Sequence, residues 1–249
     1  MMTLDHIIAE LQKKKWVDLT HTITESIPIF GAFEGVLQRK TLFNVEDHGF
    51  YAQAVTFATQ TGTHIDAPGH FVAGKRYLDR IDNKELLLPI VVLHKQDAVA
   101  RDPDYRLSVD DILAFEREHG EIASGSFVAF ASGWSTRWPD LDAFANKDEQ
   151  GNSHTPGWSL EALTFLFDER GISAVGHETL DTDSAADFRR NSGLIGEFFV
   201  LNQNAWQVEV LNNLHQLPPT GAYIHVSYPN FAGAPGFPVR AIAYLPDNA

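Results

Sequence analysis

Three apolar runs with helical segments between them constrain this chain more than anything else it contains. Ile90 to Leu93 and Phe127 to Ala131 are short, unbroken apolar runs, the pattern of buried strands, and Ile172 to Val175, interrupted only by Ser173, reads as a third strand. Ser108, three residues ahead of Asp111, makes a capping box, and Gly120 closes VDDILAFEREH as a helix between the first two runs. Pro156, Gly157 and an N-cap at Ser159 open a second helix. Its apolar residues are Leu160, Leu163, Leu166 and Phe167, and Gly171 stops it just before the third run. Strands alternating with helices predict an α/β fold.

The flanks add strands. Leu4, Ile7, Ile8 and Leu11 repeat at three and four, so residues 3–14 predict a short amphipathic helix. Residues 16–23 predict a strand before a turn at Pro28, and residues 36–45 and 51–59 two more, joined by a turn at Asp47 to Gly49. Late strands are expected at 205–210, 222–227 and 239–245. Residues 139–154, rich in Asp, Asn and Gln, suggest a surface excursion. No repeat or low-complexity linker divides the chain, so a single domain over residues 1–249 is expected, a length one core can serve.

Charge and composition exclude several functions. Acidic side chains outnumber basic ones 33 to 19, a net charge of -14, whereas a nucleic-acid partner calls for a basic face. The one basic run, Lys13 to Lys15, suits the end of a first helix. The chain has no cysteine, which removes disulfides, thiolate nucleophiles and cysteine zinc sites. A metal would have to bind through His, Asp, Glu or amide oxygen. The first residues lack the features of a secretory signal, and LLLPIVVL at 86–93 falls short of the ~20 residues that cross a bilayer. A cytoplasmic protein with no membrane partner is the expectation. The string GHFVAGK at 69–75 mimics a phosphate loop, but Arg76 stands where a hydroxyl should hold magnesium. No G-x-S-x-G supplies a serine nucleophile.

The stretch from Gln60 to Phe71, QTGTHIDAPGHF, carries the chemistry. If the strand that starts at Tyr51 runs on through Asp66, Gln60, Gly62, His64 and Asp66 share one face. Gly62 would then leave space for a metal ion and its waters between Gln60 and His64. Pro68 ends the ladder and turns His70 back toward that face. A plain hydrogen-bonded His-Asp pair is the competing reading. In Ala205 to Val210, Trp206, Val208 and Val210 point one way and Gln207 and Glu209 the other. A carboxylate on so apolar a strand needs a partner or a metal if buried, and otherwise faces solvent or caps the turn at Asn212 and Asn213.

These residues resemble the cyclase family of metal-dependent hydrolases, which includes bacterial kynurenine formamidase and isatin hydrolase and whose signature is H-x-G-T-H-x-D-x-P-x-H-F. The likeness extends through WVDLTHTITESIPIF, GSFVAFASGW, PGWSLEALTFLFDERGISAVGHETLDTD, VEVLNNLHQLP and PVRAIAYLP. It implies a swivelling β/β/α-type fold, with a mixed, partly barrel-like sheet and outer helices, and a homodimer or homotetramer. By position it makes His64, Asp66 and Glu209 metal ligands and His70 the acid/base. Two positions depart from the pattern: Gln60 replaces the first histidine, and Glu197 replaces the histidine of a second metal. Both exchange imidazole nitrogen for oxygen, which shifts preference from zinc toward manganese or magnesium, although affinity order still favours zinc.

The resemblance therefore implies one divalent ion per chain, manganese or zinc. Gln60 would be a fourth ligand or hold a water, and Glu197 and His177 would serve a second ion or support the first. The substrate would be a small cyclic amide, lactone or formamide, probed by Phe30, Phe71, His21 and Trp206 as pocket residues. The alternative is a non-catalytic small-molecule-binding protein on the same fold, with a decayed metal centre.

Overall fold

In a computed structural model, described here for residues 3–247, the three apolar runs lie side by side at the centre of a nine-stranded sheet. The strands of the chain are β1 (Trp16–Asp18), β2 (Gln38–Phe43), β3 (Ala52–Thr56), β4 (His64–Asp66), β5 (Leu87–His94), β6 (Arg106–Leu107) and β7 (Phe127–Ala131). They continue with β8 (Gly157–Trp158), β9 (Ala174–His177), β10 (Trp206–Glu209), β11 (Ala222–Ser227), β12 (Gly236–Pro238) and β13 (Arg240–Tyr244). The helices are α1 (Leu4–Lys13), α2 (Val45–His48), α3 (Gln96–Arg101), α4 (Val109–His119), α5 (Leu141–Ala145), α6 (Leu160–Thr164), α7 (Ala185–Asn191) and α8 (Ile195–Asn202).

The large sheet runs in the order β1-β13-β11-β5-β7-β9-β10-β4-β12. Its middle, β5-β7-β9-β10, is parallel, and both wings are antiparallel. Parallel neighbours need crossovers, which α3 to α8 provide. The central runs are largely apolar because both faces are covered. Along β5, Ile90 and Val92 enter one core with Val17, Phe127, Trp206 and Ile224. Val91 and Leu93 enter a second core, under the helices, with Ile112, Phe130, Leu163 and Val200. The sheet curls around the first core: Leu19 links its ends, donating to Ala241 O and accepting from the Asn212 amide. The result is the mixed, partly barrel-like α/β architecture that the family resemblance implies.

Several boundaries differ from expectation. The opening strand spans only Trp16–Asp18. The proposed long strand from Tyr51 to Asp66 is broken: β3 ends at Thr56, and β4 begins at His64 in a different sheet. Gly62 lies in the intervening turn with φ +65, a conformation glycine adopts without strain. A Cβ there would meet Ile23 at 2.8 Å, so Gly62 makes no room for an ion; it makes the turn. The helix after Ser159 gives way at Phe165 to a π-turn ending at Glu169.

Candidate metal centre

Strand register assembles the site. In β4, His64 and Asp66 are two residues apart and share a face. The antiparallel neighbour β10 sets Glu209 directly opposite His64 and Gln207 directly opposite Asp66. All four side chains are buried together. A slip of one residue would turn every one of them into the opposite layer. On the other edge of β4, Gly236 faces Asp66, and a Cβ there would meet Gln60 Nε2 at 2.4 Å and Asp66 Oδ1 at 2.7 Å. Gly236 is thus the opening through which Gln60 reaches the site.

His64 Nδ1 lies 2.9 Å from Gly62 O, an arrangement in which Nδ1 donates and the Nε2 lone pair points the other way. There Nε2 meets Glu209 Oε2 at 3.3 Å and Asp66 Oδ2 at 3.4 Å, and it has no hydrogen-bond partner among the described residues. A buried lone pair facing two carboxylates is stable only with a cation between them, a proton or a metal ion. Burial works against an imidazolium, yet Asp66 and then Glu209 outweigh it and hold His64 well above its ordinary pKa. Burial likewise works against the Asp66 carboxylate, but His64, His70 and the Gln60 amide keep it below the usual range. His64, Asp66 and Glu209 each offer a ligand atom within 4.8 Å of the others, so the donor set fits a divalent ion.

Neighbouring groups orient these carboxylates. Thr182 Oγ1 donates to Gln207 Oε1 at 2.8 Å, which aims the Gln207 amide nitrogen at Glu209 Oε1, 3.0 Å away, and at Asp66 Oδ2, 3.5 Å away. Gln60 donates from Nε2 to Asp66 Oδ1 at 3.2 Å, and its oxygen accepts from Thr59 at 2.7 Å. In this arrangement Gln60 braces Asp66. His177 is buried with Nε2 3.3 Å from Glu209 Oε1.

His70 follows the short turn after Pro68 and returns to the site, as the sequence predicts. Its Nε2 stands 3.9 Å from Asp66 Oδ1 and 4.0 Å from Glu197 Oε1, between the buried ligands and a cavity of about 150 Å³. Phe30, Phe33, Phe71, Leu180 and Leu194 form the apolar wall, and Gln60, His64, His70, Asp181, Glu197 and Glu209 the polar side. Asp66, His70 and Glu197 make a second group with metal-ligand spacing. A larger cleft of about 410 Å³, near Asp79, His225 and Tyr228, contains neither group.

The structure separates two expected pocket residues from this cavity. His21 is buried and stacked on Trp138, 4.5 Å between ring centroids, and burial lowers its pKa to about 4. Trp206 is packed on Phe127 in the first core. Phe33, Leu180, Asp181 and Leu194 enter the lining instead. Asp181 is pushed up to about 7 by burial, then by Glu209 and Asp183. Burial and the carboxylates of Glu209, Asp66, Asp181 and Asp183 raise Glu197 well above its ordinary value. Glu197 arrives on α8, whose first turn is capped by Asp183 accepting from the Gly196 and Glu197 amides. That cap sits 13 residues upstream, beyond the spacing at which a sequence shows one. The acidic run ETLDTD at 178–183 was the available signal for Asp181 and Asp183.

A curled mixed sheet with a His-Asp-Glu cluster at its antiparallel wing defines a metal-site α/β protein. The chain belongs to the cyclase family: the Cyclase family model matches residues 17–184. An isatin hydrolase of Roseibium aggregatum is 33% identical over 190 residues, covering 75% of this chain and 72% of that protein. The solved isatin hydrolase A of Ralstonia solanacearum superposes with a TM-score of 0.90 at 30% identity, over 99% of this chain and 98% of its own. An isatin hydrolase bound to the product analogue thioisatinate superposes equally well, 0.90 at 26% identity, over 99% and 100% of the two chains.

Proposed function

We propose that this chain is a metal-dependent hydrolase that opens a small cyclic amide or lactone, with isatin-like lactams as the first class to test. The observation that carries the reading is the buried Nε2 of His64, aimed without a hydrogen-bond partner between Asp66 and Glu209. His64, Asp66 and Glu209 would hold one divalent ion, manganese or zinc. Three protein ligands suit a catalytic centre, which keeps a coordination position open. When bound, the ion supplies Lewis-acid polarisation of a carbonyl and activation of water.

The chain's own residues do the rest. His70, partly exposed at the cavity edge, is the acid/base: Nε2 takes the proton of the attacking water and returns it to the leaving nitrogen or oxygen. Glu197 and Asp66 flank that nitrogen at 4.0 and 3.9 Å. Phe30, Phe33 and Phe71 hold a flat ring, and Leu180 and Leu194 keep water from its far face. The volume of about 150 Å³ is below the ~300 Å³ at which drug-sized sites begin, so a molecule of one or two rings fits.

The test is metal content per chain by elemental mass spectrometry, with His64→Ala as control, followed by turnover of isatin, lactones and formamides. One ion, lost in His64→Ala, with ring opening abolished in His70→Ala, is the expected result. Two ions would bring Asp66, His70 and Glu197 into coordination and take His70 out of its proposed role. No ion after incubation with manganese and zinc would overturn the hydrolase and leave a binding protein on this fold.

A further inference from the structure

Two carboxylates reach the cavity without serving the single-ion site. Glu197 is 3% exposed and lines the cavity, and among the described residues the one ion-pair partner within 4.0 Å of its carboxylate is His70 Nε2, at 4.0 Å. Its hydrogen bonding runs through the backbone amide, which donates to Asp183 Oδ2 at 3.0 Å and leaves the carboxylate facing the cavity. Asp181 lines the same cavity, and its contact with Thr179 Oγ1, 2.9 Å, is made by its backbone carbonyl. A carboxylate as buried as Glu197 is costly to hold unless a cation or a donor meets it. What meets it must come from the cavity side.

Charge identifies the missing partner. Asp66, Glu209, Asp181 and Glu197 converge on one site, and a single divalent ion answers two of these four carboxylates. A second metal ion is the competing answer, since Asp66, His70 and Glu197 have ligand spacing. Against it, Asp66 Oδ1, the oxygen that faces His70, already accepts from Gln60 Nε2 at 3.2 Å. That amide occupies a lone pair the second ion would need and points a positive hydrogen toward the place it would fill. An alkylammonium group makes no such demand. It needs no ligand from Asp66 or His70, and its three N–H groups can donate to Glu197 and Asp181 while its charge offsets theirs. The wall of Phe30, Phe33 and Phe71 suits the same group, because aromatic rings attract cations.

We propose that Glu197, assisted by Asp181, recognises a protonated amine on the substrate, so that this chain prefers small cyclic amides or lactones carrying an aminoalkyl group over neutral ones. The inference rests on the one-ion hydrolase reading and adds the substrate's charge to it. Glu197 is then a specificity-determining residue. A neutral analogue that enters the cavity leaves its buried carboxylate unpaired, and a site built around such a group discriminates strongly against ligands that lack the donor. The cavity of about 150 Å³ restricts the amine to a short arm on one ring.

The test is calorimetric titration with benzylamine, a cation near pH 7, and with its neutral isostere benzyl alcohol, on manganese-loaded and on chelator-treated protein, with metal content per chain measured alongside. Benzylamine should bind the loaded protein about tenfold tighter or more, the factor that one hydrogen bond to a charged group supplies. Glu197→Gln should bring the two affinities within about twofold of each other. Should that variant not fold, the wild-type pair of affinities decides. Equal affinities in wild type, an undiminished preference in Glu197→Gln, or benzylamine bound only by the metal-free protein, where it would take the ion's own place, would each overturn the proposal. Two ions per chain would overturn it as well, since Glu197 would then be a ligand. One ion with no preference for the amine sinks this inference and leaves the hydrolase standing, whereas a protein that retains no ion loses both.

Discussion

Gln207 offers the sharpest test of how the site is organised, because it has no exposed surface and all its polar atoms are committed. Gln207→Met keeps the length and volume of the side chain and removes the amide. Three partners are then affected: Thr182 Oγ1 loses its acceptor, Glu209 Oε1 loses a donor at 3.0 Å, and Asp66 Oδ2 loses a longer one at 3.5 Å. A hydrogen bond to a charged group contributes about 1.5–3 kcal/mol, and a buried group left unsatisfied costs about 1–3 kcal/mol. Without metal the variant should therefore lose about 2–4 kcal/mol of folding stability.

The larger consequence concerns the ion. With the amide gone, Glu209 and Asp66 are no longer held in the orientation that leaves oxygens facing His64 Nε2. Loss of such an outer partner typically costs 10–100-fold in metal affinity. Urea unfolding in chelator gives the first quantity, and manganese titration followed calorimetrically gives the second. The reasoning would be refuted by a variant destabilised as stated but binding manganese within twofold of wild type, since Gln207 would then be packing alone. Gln207→Glu should be worse in both assays, because it sets a carboxylate where an amide donor faces Glu209 at 3.0 Å.

Three further outcomes follow from the same geometry. Gly236→Ala should cost about 1–3 kcal/mol and weaken metal binding, since its Cβ would overlap both Gln60 Nε2 and Asp66 Oδ1; chemical unfolding with and without manganese checks both. His154 bridges Asp104 at 2.5 Å and Asp148 at 3.3 Å, and those two carboxylates raise its pKa, while Asn152 and other local hydrogen bonds lower Asp148 to about 2. The clasp contributes fully from about pH 4 to 6.5, is lost as pH rises through the raised His154 value, and is lost as pH falls toward 2, which amide exchange of residues 148–152 across pH should trace. Glu178, buried and accepting from the Gly133 and Trp134 amides and the Ser132 and Ser135 hydroxyls, should cost more than about 3 kcal/mol when replaced by Leu, measured by urea unfolding.

What the sequence made legible was whatever rests on local period. The central strands are legible because strands covered on both faces are rich in apolar residues, although their parallel pairing is not, and α4 is legible because Ser108 and Gly120 mark its ends within a few residues. His64 and Asp66 share a face because strands alternate, which β4 does even though it is only three residues long. What escaped depends on pairing between distant segments. Gln207 and Glu209 were placed on one face of their strand, yet only the register of β10 against β4 sets them opposite Asp66 and His64. The acidic residue that caps α8, Asp183, is too far along the chain to be recognised as a cap. The resemblance points to His21 through its place beside the turn at Pro28 and Phe30, and aromatic character points to Trp206, whereas packing against Trp138 and Phe127 holds them away from the cavity.

The two positions that depart from the family pattern illustrate how an exchange of donor changes a site's construction. An imidazole at position 60 offers a nitrogen lone pair, whereas Gln60 in this arrangement turns its amide nitrogen to Asp66 and its oxygen to Thr59. Asp66 is thereby braced, and on the proposed assignment three protein ligands, His64, Asp66 and Glu209, are left for the ion. Glu197 adds a carboxylate 4.0 Å from His70 in place of a nitrogen. On the proposed assignment, both changes move control from direct coordination to the groups that orient Asp66 and His70. The ion would then be held by fewer protein atoms, with more positions open to water and substrate. A site of this construction should depend on Gln60 through the orientation of Asp66, so Gln60→Glu, which removes the donor and adds charge, should weaken metal binding more than Gln60→Ala. The opposite order would mean that position 60 acts as an oxygen ligand.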